Sequence, residues 1–247
     1  MIPIKSEEDL KMLKKSGKIL SKIIEKLQKF TRKGVSTIEI DQLAEELIKK
    51  ENVVSAFKGY NGYPANICAS VNEEVVHGIP DGRILNDGDI ISLDVGINYK
   101  GYLSDAAITM PVGRIDSKLQ KLIEVTRGSL IAGIKEARID NHVSDISYAI
   151  QRHVEKNGFS VVRQFVGHGI GRNLHEEPQI PNFGVPHQGE LLKKGMVLAI
   201  EPMVNIGTWE CEILDNGWTA VTKDNSASAH FEHTIAITEN GPEILTS

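Results

Sequence analysis

The sequence predicts an α+β protein built from two pseudo-equivalent halves, about residues 1–115 and 116–247, whose strand ends meet at one centre. Three observations predict it. Helical periodicity followed by strands and turns occurs twice along the chain, and three short stretches recur in the same order in both halves. No Pro- or Ser-rich linker divides the halves, so they are expected to share one core and form one catalytic domain.

Residues 6 to 28 read as a helix: Ser6 before Glu7 and Glu8 suits a capped start. Leu10, Met12, Leu13, Leu20, Ile23, Ile24 and Leu27 supply its apolar face. A second helix begins near Thr37, with Ile40, Leu43, Leu47 and Ile48 inward. Residues 53 to 112 are strand-rich, punctuated by Gly62-Tyr63-Pro64, Ile79-Pro80-Asp81-Gly82 and Asn86-Asp87-Gly88. The cycle then repeats, with helices over 117–137 and 143–157 and strands and turns from Phe159 onward.

The internal matches are specific. The stretch Ile84-Leu85-Asn86-Asp87-Gly88-Asp89-Ile90-Ile91-Ser92-Leu93-Asp94 answers Leu191-Leu192-Lys193-Lys194-Gly195-Met196-Val197-Leu198-Ala199-Ile200-Glu201. Glycine falls on glycine, apolar strand on apolar strand, and an acid on an acid at the end. His77-Gly78-Ile79 answers His168-Gly169-Ile170, and Asp105-Ala106-Ala107-Ile108 answers Glu232-His233-Thr234-Ile235.

Composition narrows the function. The chain of 247 residues is 40% hydrophobic and 25% charged, as ordinary globular proteins are. The net charge is -5 and the basic residues are scattered, which argues against a dedicated nucleic-acid surface but not against transient ribosome contact. Cys68 and Cys211 are too few for a disulfide framework. The first residues carry early acids without an apolar stretch, and nothing approaches the roughly 18 apolar residues of a membrane span. A cytoplasmic monomer is the expectation.

Four of the matched residues are acids next to apolar strand residues: Asp94, Asp105, Glu201 and Glu232. A buried acid is costly unless its charge is compensated. Four that converge either take up protons or hold cations between them. With His168, in the expected turn Val166-Gly167-His168-Gly169-Ile170-Gly171, the inventory suits two divalent ions about 3.5–4 Å apart. Oxygen ligands with one nitrogen fit Mn, Fe, Co or Zn. Singly, each feature has a plainer reading: a strand-end Asp is commonly a turn or cap residue, and a histidine among glycines a loop residue. The duplicated order is what joins them.

The run Val166-Gly167-His168-Gly169-Ile170-Gly171-Arg172-Asn173-Leu174-His175-Glu176-Glu177-Pro178 resembles the signature of type I methionine aminopeptidases. The likeness continues through Asn72-Glu73-Glu74-Val75-Val76-His77-Gly78-Ile79-Pro80, Asp94-Val95-Gly96, Ser104-Asp105-Ala106-Ala107, Ala199-Ile200-Glu201-Pro202-Met203 and His230-Phe231-Glu232-His233-Thr234. The resemblance implies the pita-bread fold, two pseudo-symmetric halves around a curved antiparallel sheet with helices on its outer face. It implies that Asp94 chelates one metal, that Asp105 and Glu232 bridge both, and that His168 and Glu201 complete the second. His77 and His175 would contact substrate, while Tyr60, Tyr63, Cys68 and Trp218 would line a methionine pocket with Phe57 nearby. A Na or K ion near Asn72, Glu74 and Ser228 is also implied. Leu174 departs from the pattern, since many members carry an aromatic residue there.

The chemistry that follows is removal of the initiator methionine from nascent chains with a small second residue. A hydroxide bridging the metals attacks the first peptide carbonyl, Glu201 serves as general base, and His175 helps hold the oxyanion. Prolidases and aminopeptidases P share the fold but usually add an N-terminal domain, for which the first ten residues leave no room. Type II enzymes carry an insertion between the stretches of His175 and Glu201, where only 25 residues intervene here. A non-catalytic homologue binding RNA or protein would have lost ligands, and all five positions are kept.

Overall fold

In a computed structural model that describes residues 2–247, the chain runs through four α-helices and fifteen strands. The first half holds α1 (Glu7–Phe30), α2 (Thr37–Lys50), β1 (Val54–Ser55), β2 (Cys68–Val71), β3 (Glu74–Val76), β4 (Ile90–Tyr99) and β5 (Tyr102–Pro111). The second opens with α3 (Ser117–Glu136) and α4 (Val143–Lys156), followed by β6 (Ser160–Val161), β7 (Val166–Gly169), β8 (Glu176–Pro181) and β9 (Val197–Ile200). It closes with β10 (Met203–Asn205), β11 (Cys211–Ile213), β12 (Ala220–Thr222), β13 (Ser228–His230), β14 (His233–Thr238) and β15 (Gly241–Ile244).

Local chemistry sets the helices. Ser6 caps α1: its Oγ accepts from the Asp9 N–H, and the Asp9 carboxylate accepts from the Ser6 N–H. Leu13, Leu20, Ile23, Ile24 and Leu27 fall on one face of α1 at three- and four-residue spacing and are buried, while Leu10 and Met12 are only partly covered. Gly17 sits where any Cβ would collide with the Leu245 carbonyl, so the chain end packs directly on α1. Helix α2 buries Ile40, Leu47 and Ile48 as its periodicity predicts, with Leu43 partly covered. Its buried Asp41 accepts hydrogen bonds from the N–H groups of Asn66 and Ile67, which anchors the lead into β2.

The strands pair within each half. β4 and β5 form a ten-residue antiparallel hairpin, with β2 and β1 also on β4. The second half answers with the sheet β15-β14-β9-β7-β8. Between them β5 runs antiparallel to residues 230–234. Ala107 exchanges backbone hydrogen bonds with Glu232, Thr234 Oγ1 donates to the Asp105 carbonyl at 2.7 Å, and Thr109 Oγ1 donates to that of His230 at 2.8 Å. Two small sheets, β13-β10-β6 and β11-β12-β3, flank this seam, the latter joining strands of both halves. Apolar clusters sit between helices and sheets: one under α1 and α2, one under α3 and α4, and a central one that includes Leu13, Tyr63 and Leu174. Each fully buried side chain such as Leu20 or Ile91 stabilises the fold by roughly 1.5–3 kcal/mol.

Two local expectations change. Asp94 lies in the middle of β4 rather than at a strand end, because Val95-Gly96-Ile97 continue the strand. His168 lies in β7 rather than a turn. Its flanking glycines are there for closeness: a Cβ on Gly167 would come within 2.5 Å of the Ala199 carbonyl oxygen, and one on Gly169 would collide with the Glu177 carbonyl.

Candidate metal centre and adjoining pocket

The β4–β5 register sets Asp94 opposite Ala107 and Gly96 opposite Asp105, so the two acids are diagonal neighbours on one face. Glu201 directly follows β9 and Glu232 directly precedes β14, and the β9–β14 pairing of Ile200 with His233 carries both to the same end. Asp105, His168 and Glu232 each bring one ligand atom within 4.8 Å of the others. The Nε2 of His168 is 3.4 Å from Glu201 Oε1. Its Nδ1 lies 2.9 Å from the Gly169 carbonyl, to which only Nδ1–H can donate. Nε2 therefore keeps its lone pair and faces the carboxylates.

The centre is electrostatically unbalanced. Asp105 and Glu232 are 4% and 2% exposed, yet Asp105 Oδ1, Glu232 Oε1 and Asp94 Oδ1 are buried without any hydrogen-bond partner. Burial, reinforced by the charges of Asp105 and Glu201, pushes the Asp94 carboxyl far above the usual range. Burial and the Asp105 charge do the same to Glu201, and burial with the surrounding acids does so to Glu232. Burial brings Asp105 up to about 7. The two histidines lining the centre, His77 and His168, are pushed down to about 4, by burial first and then by His175, so both are neutral near pH 7. Unpaired buried carboxylate oxygens beside a neutral imidazole nitrogen are a fitting donor set for divalent cations.

A consequence is measurable. Burial favours the protonated forms of these acids in the folded chain, and a cation displaces such protons. Metal loading at pH 7 is expected to release at least one proton per chain. Affinity should fall as the pH drops below about 7, where Asp105 takes up its proton. Calorimetry in buffers of different ionisation enthalpy reads this; loading with no proton release would mean that the buried acids are already ionised in the metal-free protein.

Against the acids lies a cavity of about 240 Å³ whose walls include Tyr60, Tyr63, Cys68, Trp218, Phe57 and Leu174. Cys68 stands opposite Asp94 across β2 and β4, and burial, followed by the Asp94 charge, keeps its thiol protonated. The Tyr63 hydroxyl lies 3.1 and 3.0 Å from the carbonyls of Ile67 and Gly78, and its ring packs edge-on to Trp218 at 5.1 Å. Gly96 has no room for a side chain because the Phe57 ring lies where its Cβ would be. His77 and His175 also line the cavity, and the His175 ring is 4.4 Å from that of His168. All the residues expected at the centre and pocket therefore border one space. Asn72 and Ser228 also meet, the Ser228 N–H donating to the Asn72 carbonyl at 2.8 Å.

Three neighbours are not among the residues that the sequence singles out. His230 is 2% exposed, with Nε2 3.6 Å from Glu201 Oε2 and no hydrogen-bond partner. A signal for it exists, since in an extended chain His230 shares a face with Glu232. Phe165 packs edge-on to His77 at 5.4 Å, and Asn61 lines the cavity; neither stands out from the sequence.

A fold that closes two sheets around a donor set of this kind defines a metal-dependent enzyme. The model of metallopeptidase family M24 matches residues 11–239, and the chain belongs to that family. It is 53% identical to methionine aminopeptidase 1 of Bacillus subtilis, over 100% of this chain and 99% of that protein. A crystal structure of methionine aminopeptidase from Thermotoga maritima superposes with a TM-score of 0.98 at 48% identity, covering 100% of both chains. An Xaa-Pro dipeptidase from Bacillus anthracis shares the fold, with a TM-score of 0.80 at 23% identity over 99% of this chain and 62% of that one. The architecture is the pita-bread fold that the motifs implied, and the family's chemistry uses divalent metal. Among the described residues no helix is long and apolar enough to cross a membrane.

Proposed function

We propose that the chain acts as one catalytic domain that removes the initiator methionine from nascent proteins in the cytoplasm, as a monomer with at most transient ribosome contact. One observation carries this reading: a pocket of aromatic rings and sulfur opens directly onto four carboxylates, of which Asp105 and Glu232 are buried. A long, unbranched, apolar side chain fits such a pocket, and thioethers are favourable against aromatic edges. The names of the full-length relatives support the same substrate.

In this reading Asp94, Asp105, His168, Glu201 and Glu232 would hold two divalent ions, with Asp105 and Glu232 as the ligands that would serve both. Cobalt, manganese, iron and zinc all suit those donors. Bound there, the ions supply Lewis acidity and an acidified water. Glu201, whose Oε1 lies 3.4 Å from His168 Nε2, is assigned as the base that takes the water's proton. The Tyr60 hydroxyl lies 2.7 Å from His175 Nδ1; donation to that nitrogen leaves Nε2–H as the donor of His175 toward the peptide carbonyl oxygen. Burial keeps His175 neutral, so it acts by hydrogen bonding and not by charge. His77, also neutral, is assigned to hydrogen-bond the scissile amide. Tyr60, Tyr63, Cys68 and Trp218 enclose the methionine side chain. A Na or K ion is assigned to the carbonyls around Asn72, Glu74 and Ser228. A formylated amine has no free lone pair, so deformylation comes first.

Release of free methionine from a Met-Ala-Ser peptide tests the function. It is expected from chelated protein only after cobalt, manganese, iron or zinc is restored. Failure with all four would contradict the reading. His175→Ala is expected to lower kcat by roughly 10²–10³-fold, as loss of one oxyanion donor does elsewhere, with bound metal unchanged. Elemental analysis alongside the kinetics checks this; lost metal would make His175 a ligand instead.

A further inference from the structure

Away from the centre, at the start of α4, a second group of metal-binding side chains comes together: His142, Asp145 and His187 each bring a ligand atom within 4.8 Å of the others. His142 Nδ1 is 3.8 Å from Asp145 Oδ2, and His187 Nδ1 is 3.3 Å from Asp145 Oδ1. Ligand atoms about 2.0–2.2 Å from a tetrahedral cation stand about 3.3 Å apart, so both separations are near what such an ion needs.

The backbone holds the three in place. Asp145 Oδ2 accepts from the His142 N–H at 2.7 Å and Oδ1 from the His187 N–H at 2.9 Å, so one carboxylate fixes the root of both imidazoles. The segment bearing His187 runs along the helix start, with Val143 N–H donating to the Glu190 carbonyl and Ser144 N–H to that of Gln188. His142 Nδ1 is shut off from water and has no hydrogen-bond partner. A buried imidazole nitrogen left unpaired is unfavourable, and a cation beside Asp145 would satisfy it.

The duplication supplies an internal control. Ser36 bridges to Ile84 at the start of α2 just as His142 bridges to Leu191 at the start of α4, and Ile84 and Leu191 are matched positions of the repeat. In the first half a serine and Glu39 suffice, the Ser36 N–H donating to Glu39 Oε2 at 2.8 Å and its hydroxyl to the same oxygen at 2.6 Å. His187 likewise corresponds to Pro80. The fold therefore asks for a capped helix at this point and not for two histidines.

We propose that His142, Asp145 and His187 form a separate binding site for a first-row divalent transition cation of the zinc class, with its remaining position open to water. Neutral imidazoles with one carboxylate are the donors that such ions take. The ion fastens the 187–191 segment to α4.

The test is equilibrium dialysis of the full chain against micromolar Zn(II), followed by elemental analysis of the parent protein and the His187→Ala variant. His187 has an 81% exposed side chain, so its replacement leaves the core untouched. His187→Ala is expected to hold one zinc ion fewer per chain, or to bind that ion at least about tenfold more weakly, with methionine release unchanged. His142→Ala, if it folds, should lose the same ion. Equal zinc content and affinity in the parent and His187→Ala would overturn the proposal, whatever the fate of the catalytic function.

Discussion

Asp105→Ala is expected to abolish turnover while leaving a folded protein. Asp105 sits on the seam between the halves, its N–H accepted by Thr234 Oγ1 at 2.9 Å and its carboxylate facing the other acids. In the proposed arrangement it serves both cations, so its loss should cost more than the about 10–100-fold that removing an outer-shell partner costs. Stability behaves differently. Burial opposes ionisation of Asp105 and leaves one of its oxygens unpartnered, so deleting the carboxyl should let the metal-free variant unfold at the same temperature as the metal-free parent or higher. The backbone hydrogen bonds of Asp105 survive the change. Parallel metal analysis, turnover and thermal denaturation check all three; wild-type turnover in Asp105→Ala would end the two-metal assignment.

Much of this centre was legible in the sequence because duplication converts weak signals into a joint one. No single acid would justify a metal site, but Asp94 with Glu201 and Asp105 with Glu232 recur in order. The structure brings these acids together at the seam where the halves meet. The helices were legible because their apolar spacing and caps are local, as Ser6 and Asp9 illustrate. What stayed hidden depends on packing between distant parts. The glycines around His168 read as a turn, yet they exist so that Ala199 and Glu177 can approach the strand. Asp94 reads as a strand end, yet the strand runs on, and Gly96 within it makes way for Phe57. His230 drew no role from the sequence although it stands two residues from Glu232, because only its burial beside Glu201 shows that it borders the centre.

The second large effect concerns the residue after methionine. On the outer side of the centre His77, Phe165, His168 and His175 border a second cavity of about 480 Å³, with His77 edge-on to Phe165, its ring centroid 6.3 Å from that of Trp218, and His175 4.4 Å from His168. A substrate whose methionine fills the inner cavity must pass its second side chain along these rings. In the proposed pose, which follows the family resemblance, alanine, glycine or serine is expected there and leucine or lysine to be accommodated poorly. A steric misfit of about 1–3 kcal/mol corresponds to roughly 5–150-fold, so kcat/KM for Met-Leu and Met-Lys should lie about that far or further below Met-Ala. Leu174, 4% exposed beside His175, is more compliant than an aromatic ring and is expected to narrow this ratio without removing it.

The assay that bears most directly on the proposed activity is release of the first amino acid from a matched peptide series, with metal restored, in which only the first two positions vary. Methionine is expected to leave rapidly from Met-Ala, Met-Gly and Met-Ser, and hardly at all from Met-Leu or Met-Lys. Rapid release of other residues preceding proline, with Met-Ala left intact, would contradict the proposed activity and place the chain with the aminopeptidases P and prolidases that share its fold.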